Sequence, residues 1–378
     1  MRKITNKQRE RDRRRSFQHR NSTRTRKPSL VFEGKFYKNG IPGWARTKKW
    51  VDNAIKDGLP ARVNRRDKTV TITLPSAMNF SSHFKDTTSI MMAIRKLSNA
   101  PISRKAYRLG LVDFKNLKQI SSSAALVLTA ELSRWDDHCS SKLKQIGDWD
   151  TDIQERFIEL GFFDLFENNP FKDRKAGSSS LIRHVRYIKG ICGQPNHRGL
   201  KQSLKKIVGE DVSKYTFLRG GLDEAITNVG HHAYPDHEAI AIGKNWYLTG
   251  GYNTSTKDLK ITFYDQGVGI PKTLPASNIW ENVLDKLSIF PMARRMKDEV
   301  LLKAAMEFRR TKTKEHDRGK GLSDLLNFII QRKEGYLSIL SRHGLYKYSI
   351  ENGKEREKSE RLPLPIEGTL IIWKTHLN

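Results

Sequence analysis

The stretch Leu259–Pro271, LKITFYDQGVGIP, constrains this chain more than any other. Apolar and polar residues alternate through it as on a half-buried strand, and then an acid and two glycines spaced by one residue break the pattern. Asp265 therefore falls at a strand end, where a carboxylate accepts from an exocyclic amine. Gly267 and Gly269 let backbone approach a flat ring with no Cβ in the way. The same string also fits a plain strand followed by a glycine-rich turn.

Three further strings stand around it in a fixed order. Leu222–Tyr234, LDEAITNVGHHAY, places Glu224, Asn228 and His232 at i, i+4 and i+8 on one face of a regular helix, with Ala225, Ile226 and Val229 directed toward a core. That face offers a carboxylate base, an amide oxygen and an imidazole, or simply the solvated stripe of an amphipathic helix. Asp317–Asn327, DRGKGLSDLLN, sets Gly319 and Gly321 just before an apolar helix. Unpaired backbone N–H groups there can face phosphate oxygens, and Arg318 and Lys320 add positive charge. Gly368 and Thr369 open the strand LIIW. No GxxxxGK[ST] string occurs, so a P-loop does not account for these glycines.

The first half of the chain alternates between strand and helix patterns. Thr69–Pro75 and Leu109–Phe114 read as strands; Thr47–Lys56, Asp86–Leu97, Ser121–Trp135 and Asp150–Leu160 read as helices, and a short strand is expected near Lys142–Ile146. Ile90, Ala93, Ile94 and Leu97 recur at helical spacing. The serines 121–123 suit a helix N-cap, because a hydroxyl accepts from otherwise unpaired N–H groups. Turn-rich strings between Asn168 and Gly199 mark a boundary, with Leu181–Ile188 as a short strand or helix between them.

Two resemblances follow from these residues. The run VDFKNLKQISSSAALVLTAEL, with Asp113, Ile120 and Ser121 to Ser123, resembles the STAS domains of sulfate transporters and anti-anti-sigma factors. The four ordered strings of the second half resemble the N box, G1 box, G2 box and final Gly-Thr strand of the GHKL ATP-binding fold, and EAITN followed by His232, Ala233 and Tyr234 looks most like the anti-sigma serine kinases. The expected organisation is a disordered basic arm (1–30), an unassigned segment (31–64), a STAS-like α/β domain (65–168), a linker (169–194) and a GHKL two-layer α/β sandwich (195–378).

The GHKL resemblance implies ATP and Mg²⁺ as cofactors. Asn228 would hold the metal, Glu224 would be the general base, and Asp265 would meet the adenine amine. Gly267 and Gly269 would shape the adenine pocket, and Thr369 would reach the base. Arg318, Gly319, Lys320, Gly321 and Leu322 would border the phosphates, with His232 nearby and Asn278–Arg318 as a mobile lid. The implied function is a Mg-ATP-binding ATPase whose nucleotide state switches domain or partner contacts. Alternatives are a serine protein kinase acting on a STAS-type domain, or an ATP-sensing nucleic-acid-binding adaptor without turnover.

Charge points to the partner. The 378 residues carry a net charge of +29, and residues 1–30 hold twelve basic side chains against Glu10 and Asp12. Such a field attracts polyanions by releasing their condensed counterions, so DNA or RNA is the expected partner of the arm; a solubility or targeting tail is the plainer reading. A protein partner through the STAS-like domain and a homodimer are also expected. No run approaches the roughly 18 consecutive apolar residues of a membrane span. Cys139 and Cys192 are too few for a disulfide framework, which suits a cytoplasmic, reducing compartment.

Overall fold

The computed structural model describes residues 43–100, 105–139, 148–165, 182–191, 216–233, 245–277, 280–291, 294–312 and 321–377, with positions 169, 171, 202 and 205. The expected disordered arm and the strand near 142–146 lie outside them. The chain divides into two compact units between Ser178 and Ser179, and both mix helices with sheet.

The unit before this division runs α1 (Gly43–Lys56), β1 (Ala61–Asn64), β2 (Thr69–Thr73), β3 (Ala77–Met78), α2 (Phe84–Ser98), β4 (Arg108–Asp113), β5 (Gln119–Ile120), α3 (Ser122–Cys139) and α4 (Thr151–Glu159). β1 is antiparallel to β2, and β2 is parallel to β4, the pairing that a helical crossover allows. β3 and β5 form a second, parallel pair. β1 lies within 31–64, where the sequence pattern predicts only the helix over 47–56.

Ile90, Ala93, Ile94 and Leu97 are buried, so the helical spacing of α2 marks its core face. Beside them Arg95 of α2 grips Glu131 of α3 through Nε–Oε2 at 2.9 Å and Nη2–Oε1 at 2.6 Å. Both residues are buried, and the two-pronged geometry matches a guanidinium fork to a carboxylate. Asp150 caps α4, its Oδ1 accepting from the N–H groups of Asp152 at 3.1 Å and Ile153 at 3.4 Å. Phe114 and Trp149 stack with ring centroids 3.7 Å apart, and Phe157 and Phe162 close the same cluster edge-on.

The second unit is built on five strands in the order β6 (Ile182–Ile191), β7 (Asn245–Asn253), β8 (Asp258–Asp265), β10 (Lys354–His376) and β9 (Gly335–Glu351), with every neighbouring pair antiparallel. The helices α5 (Thr216–Asn228), α6 (Trp280–Leu287), α7 (Asp298–Lys312) and α8 (Gly321–Arg332) complete it. Alternation along the strands sends Trp246, Ile261, Phe263, Ile339, Ile371 and Trp373 into one core, where they meet Leu222, Ala225 and Val229 of α5, Leu302 of α7 and Phe328 of α8. Each large apolar side chain buried this way contributes roughly 1.5–3 kcal/mol. β9 turns into β10 through Asn352 (φ 52°) and Gly353 (φ 71°), the left-handed pair that a two-residue hairpin turn requires.

Two expectations, the linker and the lid, differ from the observed structure. The linker placed at 169–194 contains β6, an edge strand of the sheet. On the face opposite the helices Tyr247, Thr249, Thr262, Tyr264, Leu370 and Ile372 are buried as well. The expected mobile lid, 278–318, is mostly two helices packed on a core of their own, including Trp280, Val283, Leu284, Leu287 and Leu301. The start of α7 is fastened to the β9–β10 hairpin: the His343 N–H donates to Asp298 Oδ2 at 3.1 Å, and Ser359 Oγ donates to the Glu299 carbonyl at 3.0 Å. Residues 313–320 lie outside the described residues.

Candidate functional site

Strand register brings the sequence-selected residues together. Thr369 of β10 stands directly opposite Asp265 of β8 on one side and Ser341 of β9 on the other, and Asp265 also stands opposite Trp246 of β7. Residues directly opposite one another share a face of the sheet, so Asp265, Thr369 and Ser341 form one polar row on the helix-covered face. The next row inward is Phe263, Ile371 and Ile339, and the one after it is Ile261, Trp373 and Leu337. The core pattern thus switches from apolar to polar at the strand end. All three polar side chains are buried, Asp265 at 5% exposure, Thr369 at 4% and Ser341 at 0%.

The loop after β8 folds tightly around this row. The Gly267 N–H donates to Asp265 Oδ1 at 2.8 Å and fixes the carboxylate in orientation. The Val268 N–H donates to the Ala233 carbonyl at 2.9 Å, and the Ile270 N–H donates to Ser341 Oγ at 2.9 Å.

Protein neighbours alone require the glycines. A Cβ on Gly267 would lie 2.4 Å from the Ala233 carbonyl oxygen and 2.8 Å from Asp265 Oδ1; one on Gly269 (φ +86°) would lie 2.8 Å from Ser341 Oγ. Gly368 (φ +102°) runs so close to β8 that a Cβ would sit 1.9 Å from the Asp265 carbonyl oxygen. The glycines let the loop and the last strand close on the polar row.

α5 supplies the second half of the site. Ala225, Ile226 and Val229 are buried as expected, while Glu224 and Asn228 are half-buried one turn apart. The α-helix stops at Asn228 and continues as a single π turn, Val229–Ala233. A π turn has more residues per turn than the 3.6 of an α-helix, and His232 lies within it; its side chain lies outside the described residues. π turns concentrate at functional sites, and this one ends at Ala233, whose carbonyl holds the loop after Asp265. The C-terminal end of α5 is thereby tied to the polar row.

Arg318, Gly319 and Lys320 lie outside the described residues. Gly321 and Leu322 begin α8, with side chains also outside the described set. Among the described residues no group of three His, Cys, Asp or Glu side chains could hold a metal ion.

Ser341 and Ala233 belong to the site but to none of the roles expected from sequence. Ser341 had a signal: in GYLSILSRHG it alternates with Leu337 and Ile339, a polar residue at a core-facing position. Ala233 had none, because its role is a backbone carbonyl. No protein-family model and no curated protein matches the chain, and no helix among the described residues is long and apolar enough to cross a membrane.

Proposed function

We propose that the polar row receives the base of ATP and that the chain is an intracellular Mg²⁺-ATP-binding ATPase of the GHKL type, preceded by a STAS-like domain, whose nucleotide state switches its contacts with nucleic acid or another partner. The observation that carries this reading is the row itself, a buried carboxylate fixed by the amide two residues on and flanked by two hydroxyls where the core gives out. The order of the four sequence strings supports the same assignment.

In this reading Asp265 accepts from the adenine amine, and Gly267 and Gly269 close the loop against Ala233 and Ser341. Thr369 offers its hydroxyl beside the base. Asn228 would give an amide oxygen to Mg²⁺, whose charge would offset that of the phosphates. Glu224, one turn before it, takes a proton at a carboxylate oxygen from the attacking water. The N–H groups at Gly319 and Gly321, with Arg318 and Lys320, hold phosphate at the start of α8, and His232 and Leu322 border that end.

Hydrolysis is placed ahead of phosphorylation because Glu224 would serve either reaction, while none of the serines 121–123 stands out as an acceptor. Ser121 Oγ accepts from the Ala124 N–H at 3.2 Å and so serves as the cap of α3. Incubation with ATP labelled in the γ-phosphate tests the reaction: free phosphate is expected, label on protein would establish a kinase instead, and binding without either product a sensor. Glu224→Ala should keep ATP binding and release no phosphate, whereas Asn228→Ala should lose the Mg²⁺-dependent part of binding. Turnover by Glu224→Ala at the wild-type rate would remove the base from that position.

A further inference from the structure

We infer that Ser341 is a specificity-determining positioning residue, which fixes the Thr369 hydroxyl as a hydrogen-bond acceptor and so selects a purine bearing an amine over one bearing an oxo group. The inference rests on the nucleotide-site reading above and concerns a residue outside its sequence motifs.

Ser341 Oγ, fully buried, has three neighbours within hydrogen-bond reach: the Ile270 N–H at 2.9 Å, the Gly368 carbonyl at 3.1 Å and Thr369 Oγ1 at 3.3 Å. A hydroxyl has one hydrogen and two lone pairs. The amide of Ile270 only donates, so it occupies one lone pair. The carbonyl of Gly368 only accepts, so it takes the single hydrogen. What remains for Thr369 is the second lone pair, and the Thr369 hydrogen therefore points at Ser341.

Thr369 is left with lone pairs alone for whatever approaches from the site. Asp265, in the same row, is an acceptor as well while it is ionised. Two acceptors side by side receive an exocyclic amine, or a water that donates to them, and meet a 6-oxo group with no hydrogen to offer. Buried polar groups left facing a like partner lose the full worth of the bond. Ser341 thus acts on selectivity through Thr369 without touching the base, and it also holds the Ile270 turn and the Gly368 backbone at the distances that close the loop.

The experiment compares ATP, inosine triphosphate and inorganic tripolyphosphate binding to the wild-type chain and to Ser341→Ala by calorimetry, with Ser341→Cys as a variant closer in volume should the alanine variant fail to fold. Inosine triphosphate differs from ATP at the 6-position, and tripolyphosphate has no base. The wild type should prefer ATP to inosine triphosphate. Both variants should bind ATP about tenfold more weakly, with a reduced ATP-to-inosine preference and unchanged tripolyphosphate affinity. An unchanged preference in folded variants, or an equal loss for all three ligands, would overturn the role given to Ser341 while leaving the ATP site standing. Failure of the wild type to bind ATP would overturn both.

Discussion

Two glycines with left-handed backbones show how differently the same residue type is constrained. Gly353 (φ +71°) has nothing within 4 Å of where a Cβ would be, whereas at Gly368 (φ +102°) the Asp265 carbonyl oxygen already occupies that space. Gly353→Ala should cost about 1–3 kcal/mol, the strain of the left-handed φ alone. Gly368→Ala adds an overlap with backbone that no side-chain rotation relieves, so its denaturant midpoint should fall well below that of Gly353→Ala and its ATP affinity should fall with it. Equal midpoints for the two variants would show that β8 and β10 do not meet as closely as described. Asp265, Gly267, Gly269 and Thr369 were legible in the sequence because a strand pattern that stops at an acid and glycines is a local signal. Ser341 showed only as a polar residue at a core-facing position, since its place opposite Thr369 depends on the register shifts of the β9–β10 pair between Arg361 and Thr369.

Element ends carry the next layer of information. Asp150 caps α4 and also receives Lys118 Nζ at 2.8 Å; that side-chain hydrogen bond, foremost, and the amides of Ile153 and Asp152 hold its carboxyl below the ordinary value of 3.8. A carboxyl whose folded value is depressed contributes stability that is present above the unfolded value and is lost as pH falls through the folded one. Asp150→Asn keeps a capping oxygen and loses the charge. The wild type should therefore be the more stable above pH 3.8, and the difference should fade as the pH drops below it, as read by chemical denaturation across pH. A difference independent of pH would remove the charge from the cap.

The cap of α4, the helical face of α2 and the Asn-Gly turn at 352–353 all announce themselves within a few residues. The π turn after Asn228 does not. Ala233 engages Val268, whose position is set by the sheet, so no local pattern marks the change from α to π turn after Asn228. The two helices found where a lid was expected were hidden for a similar reason: their apolar residues pack on one another, and a motif that places phosphate glycines says nothing about the stretch before them.

At the scale of the whole molecule the charge of +29 has to be reconciled with two folded units. Residues 1–30, with twelve basic side chains and Phe17 as the only aromatic, bring little to a core and much to a polyanion. Deleting them should leave the melting temperature and ATP affinity unchanged while weakening DNA or RNA binding. The slope of log affinity against log salt should flatten by about 0.7–0.9 for each phosphate that the shortened chain no longer neutralises. Identical salt curves for the full and shortened chains would make the arm a solvated tail. The fold class was legible at this scale from alternating patterns, whereas the burial of both sheet faces was not, because Tyr247, Thr249, Thr262 and Tyr264 read as the polar side of half-exposed strands.

The central claim is that the row Asp265–Thr369–Ser341 receives adenine, and titration of the 378-residue chain and its Asp265→Asn variant with Mg²⁺-ATP in a calorimeter tests it most directly. The wild type should bind saturably. The variant, folded but presenting an amide where the base amine needs a carboxylate, should lose about 1–3 kcal/mol, roughly a tenfold or greater rise in Kd. A folded wild-type chain that binds no ATP, or a variant that binds it equally well, would contradict the account.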